Sequence, residues 1–172
     1  MSPFLRPDVF FSSRSGDFSM TSTRKNRILI ADDEPVNQEL LEAFLADEDY
    51  ELEFANDGLE TIVKTRSFQP DLILLDVMMP KMSGFEVCQQ LKNDPETSGI
   101  IILMVTALSE LGDVERAVNV GCDDYLSKPI HKLELLKRVE NMLKLRAVTN
   151  ELERLRRYID AMEDALAPKK ND

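Results

Sequence analysis

The 172-residue sequence has no tryptophan, a single histidine and only two cysteines. Cys88 and Cys122 cannot build the dense disulfide framework of a small secreted scaffold, so a reduced, cytoplasmic setting is expected. Long apolar runs are also missing. The longest spans the six residues 100–105, against the roughly 18–20 needed to cross a bilayer. Neither G-x-x-x-x-G-K nor G-x-G-x-x-G occurs, which removes the common nucleotide-binding readings. Positive charge is scarce as well: Lys and Arg number 21 against 32 Asp and Glu, a net charge of −11. That balance argues against nucleic acid or an anionic membrane as a direct partner.

The negative charge is concentrated in one region. Residues 26–130 carry a net −15, whereas residues 1–25 and 131–172 each carry +2. Acidic excess commonly serves solubility, so the position of the acids has to decide whether they bind a cation. Residues 1–25 are rich in Ser, Arg and Phe, and Pro3, Arg6, Pro7 and Asp8 deny them the continuous apolar stretch of a signal peptide. They are expected to form a mobile tail, with Met20 as a possible alternative start of translation.

From residue 27 onward, short runs rich in Ile, Leu and Val recur at residues 27–31, 72–75 and 100–105. They are continuous rather than alternating, as parallel strands covered on both faces require. Residues 50–55 and 124–126 are weaker strands, expected nearer the sheet edges. Helical patterns lie between. Val36, Leu40, Leu41, Phe44 and Leu45 are expected to line one helix face behind Pro35. Leu59, Ile62 and Val63 mark a second helix after Asp57-Gly58. Phe85, Val87, Cys88 and Leu91 mark a third, and Val114, Ala117 and Val118 a fourth, ended by Gly121. Strands alternating with helices imply an α/β fold built from βαβ units on a parallel sheet. Right-handed crossovers then bring every strand's C-terminal end to one edge, where such folds bind ligands.

The residues at those ends carry chemistry. The first strand runs into Asp32-Asp33-Glu34, the third into Asp76, the fourth into Thr106 and the fifth into Lys128-Pro129. An acid after a strand is by itself an ordinary helix cap. Capping does not predict acids, a hydroxyl and an ammonium at four successive strand ends. Clustered carboxylates repel one another unless a cation neutralises them. Hard oxygen donors without His or Cys point to Mg²⁺.

These segments resemble the receiver domain of two-component response regulators over roughly residues 26–145. The resemblance is carried by Ile30-Ala31-Asp32-Asp33-Glu34-Pro35, by Asp57-Gly58, and by Pro70-Asp71-Leu72-Ile73-Leu74-Leu75-Asp76-Val77-Met78-Met79-Pro80 with Ser83-Gly84. It continues through Val105-Thr106-Ala107 to Gly121-Cys122-Asp123-Asp124-Tyr125-Leu126-Ser127-Lys128-Pro129. It implies a doubly wound, flavodoxin-like five-stranded sheet of order 2-1-3-4-5. It implies further that Asp76 is the phosphoacceptor for a phosphohistidine of a histidine kinase or phosphotransfer protein. Asp33, Asp76 and the backbone carbonyl of Met78 would hold Mg²⁺, with Asp32 acting mainly through a water. Lys128 would pair with a phosphoryl oxygen, and Thr106 would donate its hydroxyl to another. Tyr125 stands where the family keeps an aromatic that turns inward with the Thr. Such a domain catalyses only its own phosphorylation and dephosphorylation. Met78 and Leu108 occupy the two positions that tune the lifetime of the phosphoryl group. Both are apolar, so slow self-dephosphorylation is expected.

Other residues have plainer readings. His131 is a polar residue at a helix start rather than a phosphoacceptor or ligand. The cysteines are small buried groups. The methionines form no stripe suited to a peptide groove.

The final helix continues beyond a compact receiver of residues 26–144. Leu145, Val148, Leu152, Leu155, Ile159, Met162 and Leu166 recur at alternating spacings of three and four, a heptad seam over residues 145–167. With Leu145 at position a, Glu151 falls at g and Arg156 at the following e, complementary across a parallel homodimer. Residues 131–167 would extend roughly 55 Å as a helix. Packing back onto the same domain is the competing arrangement. Pro168 and the lysines after it end the seam, leaving residues 168–172 as a tail. The function expected is a phosphorylation-dependent switch of a phosphorelay that signals through dimer and coiled-coil geometry. One alternative is the front part of a longer regulator whose output enzyme domain follows, for example a cyclic-dinucleotide synthase by family analogy. Another is an aspartyl-phosphate phosphatase, but such enzymes need a second Asp where Met78 stands. A degenerate scaffold is disfavoured, since no expected site residue is missing.

Overall fold

The computed structural model describes residues 24–107 and 111–166, without the side chains of residues 111, 114, 158 and 161–166. The expected tail and alternative start within residues 1–23, Leu108, the side chains of Met162 and Leu166, and the segment 168–172 lie outside the described residues. The chain alternates β1 (Asn26–Ala31), α1 (Pro35–Leu45), β2 (Tyr50–Ala55), α2 (Gly58–Phe68), β3 (Leu72–Leu75), α3 (Gly84–Asn93), β4 (Ile101–Thr106), α4 (Leu111–Asn119), β5 (Asp124–Ser127) and α5 (Lys132–Leu166). The five strands form one sheet of order β2-β1-β3-β4-β5. Every pairing is parallel. This is the expected doubly wound α/β fold with an extended C-terminal helix, and the two weaker strands are the sheet edges.

The continuous apolar runs read as they should because β3 and β4 are buried along their whole length. Successive side chains point to opposite faces, so each run feeds two cores. Ile28, Ile30, Leu72, Leu74, Leu103 and Val105 meet Leu41 and Leu45 of α1 and Leu135, Val139 and Leu143 of α5. Leu29, Ile73, Leu75, Ile102 and Met104 meet Phe85, Val87, Cys88 and Leu91 of α3 and Ala117 of α4. Each large aliphatic side chain fully buried this way contributes about 1.5–3 kcal/mol.

Local signals set the helix ends. Pro35 opens α1, Asp57 caps α2 by accepting from the Glu60 N–H, and Ser83 with Glu86 forms a capping box on α3. Gly121 follows α4 with φ +82°, where a side chain would be strained.

Several helix faces differ from the expected ones. Val36, Leu40, Leu59, Val63 and Val118 are exposed. In α1 the buried stripe is Leu41 and Leu45, and its first turn is continued by polar Asn37 and Gln38, which reach β-strand ends. In α2 the buried positions are Gly58, Thr61 and Thr65. The threonine hydroxyls donate 2.7 Å hydrogen bonds to the carbonyls of Asp57 and Thr61, so they can pack inward without an unmet polar group. An apolar periodicity count passes over such residues. In α4 it is Ala117 that faces the sheet. Strand β4 also starts one residue later than expected, because the Ile100 N–H closes a turn on the Thr97 carbonyl. Cys88 is buried and Cys122 half-buried.

Candidate functional site

Register builds the site. Ala31 of β1 lies beside Leu75 of β3, so the residues that follow, Asp32 and Asp76, leave the sheet side by side. Neighbouring strands are about 4.8 Å apart, close enough for the two carboxylates to repel strongly. The backbone holds them there: the Asp76 N–H donates to Ala31 O at 2.8 Å, and the Asp32 N–H to Ala55 O at 3.1 Å. On the other side, Thr106 pairs with Ser127 across β4 and β5, which sets Lys128 at the same edge. The Lys128 N–H donates to Thr106 O at 2.8 Å.

The Lys128 ammonium bridges the acids, donating 2.9 Å hydrogen bonds to Asp32 Oδ2 and to Asp76 Oδ2. Asp32 is buried, and its Oδ1 also accepts from the Glu34 N–H at 2.9 Å and from Asn37 Nδ2 at 3.0 Å. Asp76 is buried too, and its Oδ1 accepts from the Met78 N–H at 3.2 Å. Burial pushes the Asp76 carboxyl above the ordinary range, against the pull of Lys128, and the Asp32 charge pushes the same way. Burial pulls the Lys128 ammonium down, but its hydrogen bonds to Asp76 and Asp32 outweigh that and leave it raised. Lys128 is therefore a fixed cation at neutral pH.

Asp33 completes the acidic group from an exposed position. Asp32, Asp33 and Asp76 offer oxygens that all lie within 4.8 Å of one another. Three carboxylates against one ammonium leave a surplus of negative charge on hard oxygen donors. That donor set fits a small divalent cation such as Mg²⁺. Met78 lies on the exposed lip beside Asp76, at the mouth of this group.

The remaining expected residues line the same edge. Thr106 is fully buried at the end of β4, and Tyr125 of β5 is half-buried and packed against the core beneath α3 and α4. Burial is the main cause that raises the Tyr125 hydroxyl above its ordinary range, with the Asp113 charge adding to it. His131 is exposed, as a helix-start residue would be.

Some contributors were not legible in the sequence. Gln38 Nε2 donates to Asp32 O at 2.7 Å and to Ala55 O at 3.1 Å, stitching α1 to the strand ends. The loop after Asp76 is gripped from two sides. Lys81 Nζ pairs with Asp57 Oδ2 at 2.5 Å, and a Cβ on Gly58 would stand only 2.1 Å from Met82 O. At the other end a Cβ on Gly84 would lie 2.2 Å from Asp76 O, so α3 can approach the end of β3 only with glycine there. The one hint in the sequence was the placing of Asp57-Gly58 and Ser83-Gly84 at helix starts.

Comparison with known proteins agrees with the fold. Residues 28–140 match the family model of the response regulator receiver domain. The chain is 44% identical over 126 residues to the response regulator PleD of Caulobacter vibrioides, covering 73% of this chain and 28% of that protein. It is 42% identical over 118 residues to the DNA-binding dual master transcriptional regulator RpaA of Synechocystis, covering 69% of this chain and 49% of that protein. The chain thus spans between about a quarter and a half of these curated relatives. Among solved structures, it resembles a CheY-like response regulator receiver domain protein from Methanospirillum hungatei. That match has a TM-score of 0.69 at 28% identity, covering 73% of this chain and 99% of that one. A response regulator structure from Chloroflexus aurantiacus matches with a TM-score of 0.67 at 32% identity, covering 70% and 99%.

Proposed function

The chain belongs to the response regulator receiver domain family, and on that premise we propose that it is a phosphorylation switch whose phosphoacceptor is Asp76. The observation that carries this reading is Asp76 itself: a buried carboxylate, raised by its surroundings, held by one ammonium inside a group of three acids. In the transfer step, an Asp76 oxygen attacks the phosphorus of a phosphohistidine. The P–N bond breaks, the imidazole leaves with its electron pair and takes a proton, and an acyl phosphate remains. Mg²⁺ held by Asp33, Asp76 and the Met78 carbonyl, with Asp32 behind it, would neutralise the phosphoryl oxygens. Lys128, already 2.9 Å from Asp76, is placed to exchange that contact for a phosphoryl oxygen. Thr106 donates its hydroxyl to a second oxygen, and Tyr125 follows it inward. The chain's own part is positioning and charge, not turnover of a separate substrate.

Phosphoryl donors are a histidine kinase or phosphotransfer protein. Among the described residues, no helix is long and apolar enough to cross a membrane. The output runs through α5. Its exposed residues Leu145, Val148, Leu152, Leu155 and Ile159 keep the heptad spacing, and the centre of that stripe lies roughly 160° around the helix from the buried Leu135, Val139 and Leu143. From Val148 onward the stripe faces away from the core that α5 covers. Two copies pairing in parallel would cover it, with Glu151 and Arg156 complementary across the pair.

The test is intact-mass spectrometry after incubation with phosphoramidate. Mg²⁺-dependent gain of one phosphoryl group, absent in Asp76→Asn, is the expected result. Labelling that persists in Asp76→Asn or ignores Mg²⁺ overturns the assignment.

A further inference from the structure

We infer that Arg146 and Asp71 form a latch that sets the direction in which α5 presents its apolar stripe, and so fixes how a second copy of this chain docks along it. The inference rests on the reading that two copies pair through α5.

Asp71 stands immediately before β3 and is locked there by its backbone. Its N–H donates to Arg27 O at 2.8 Å, and its carbonyl accepts from the Ile101 N–H at 3.2 Å. Its carboxylate is buried, with Oδ2 accepting from the Arg27 N–H at 2.9 Å. Oδ1 accepts from Arg24 Nη2 at 2.7 Å and from Arg146 Nη1. An acid fixed at both backbone groups and both oxygens gives the Arg146 guanidinium a rigid seat.

Arg146 belongs to α5, one turn beyond Leu143, the last buried apolar residue that this helix places on the sheet. Among the described residues it is the last α5 side chain bonded to the domain. The neighbouring Leu145 is 69% exposed and opens the stripe. Each residue turns a helix by about 100°, so the side chain that holds position 146 to the domain also decides where 145 and 148 point. In this arrangement Val148 points away from the domain, while Leu145 stands at the rim of the cleft between α5 and the domain. A second copy can cover the stripe there, since it brings the same spacing and the complementary Glu151 and Arg156.

Disulfide cross-linking of the full chain tests this. Cys88→Ala and Cys122→Ala remove the native thiols, and circular dichroism confirms that the background folds. Single cysteines are then placed at Leu145, Val148, Thr149, Leu152, Glu153 and Leu155 and oxidised with copper phenanthroline. The stripe positions are expected to cross-link about tenfold more than Thr149 and Glu153, as knobs-into-holes pairing demands. In Arg146→Ala the contrast between Val148 and Thr149 is expected to fall to about threefold or less, while that at Leu155 persists because the paired helices hold their own phase. Asp71→Asn gives the same loss, and Arg146→Lys restores most of it. Arg24→Ala leaves the contrast intact, since Arg24 approaches Asp71 from before β1. An unchanged Val148 to Thr149 contrast in Arg146→Ala overturns the latch, and so does loss of all cross-linking in that variant. Absence of any contrast in the Arg146 protein overturns the pairing reading itself, and the latch with it.

Discussion

Strand β3 is four residues long and has a buried carboxylate just outside each end, Asp71 before it and Asp76 after it. The two clusters are built on opposite charge logic. At Asp71, two guanidiniums and a backbone N–H meet one carboxylate. At Asp76, three carboxylates cluster around one ammonium, which bonds to two of them. The first cluster is neutralised by the protein alone and serves to hold things together. The second is left with surplus negative charge, which a small divalent cation would relieve. Burial of an acid therefore does not distinguish structure from function; the local balance of charge does.

Removing each acid should separate the two. Asp76→Asn is expected to abolish phosphoryl uptake altogether, and yet to melt at a higher temperature than the parent, since burial disfavours the Asp76 charge. A variant that is inactive and also less stable would undo the contrast. Asp71→Ala is expected to cost about 2 kcal/mol, because it leaves the part-buried Arg27 N–H without its acceptor and takes the carboxylate from two partly exposed guanidiniums. Denaturant titration measures it, and labelling of the folded fraction should be nearly unchanged.

Smaller effects sharpen the same point. At tenfold excess over its dissociation constant, Mg²⁺ is expected to add about 1.4 kcal/mol of stability. Calorimetric melting with and without Mg²⁺ reads the difference, which should shrink in Asp33→Asn and persist in Arg146→Ala. A metal effect surviving Asp33→Asn would place the cation elsewhere.

The smallest effect concerns the grip on the loop beyond Asp76. The Lys81 hydrogen bond holds the Asp57 carboxyl below its ordinary range, with the Glu60 N–H helping. A carboxyl depressed in the folded state stabilises the protein above its unfolded pKa, about 4, and loses that contribution as pH falls through the folded value. Lys81→Met should therefore melt below the parent at pH 7, and the gap should close in acid. A gap that widens in acid would contradict the pairing.

How far the sequence reached can be judged residue by residue. Strands and the convergence of Asp32, Asp33, Asp76, Thr106 and Lys128 were legible, because apolar runs and the residues that end them are local signals, whereas the sheet order came only with the family resemblance. Asn37, Gln38 and Lys81 were not, since polar side chains on a helix turn or loop look alike until a partner is in reach. In α1 the expected Leu41, Phe44 and Leu45 do meet the core and only Val36 and Leu40 stay exposed. In α2 Ile62 packs as expected, but Thr61 and Thr65 bury by bonding to their own helix, which an apolar pattern does not register.

The sequence by itself determined the alternation of strands and helices, the chemistry placed at one sheet edge and the heptad spacing of the last helix. These follow from periodicity, chirality and short-range geometry. Tertiary structure alone decided which acids are buried and which cation answers each. Lys128 reaches Asp76 across 52 residues and Asp32 across 96, and Arg146 reaches Asp71 across 75. Coulomb attraction depends on distance in space, and spatial distance between such residues exists only once the hydrophobic layers have closed.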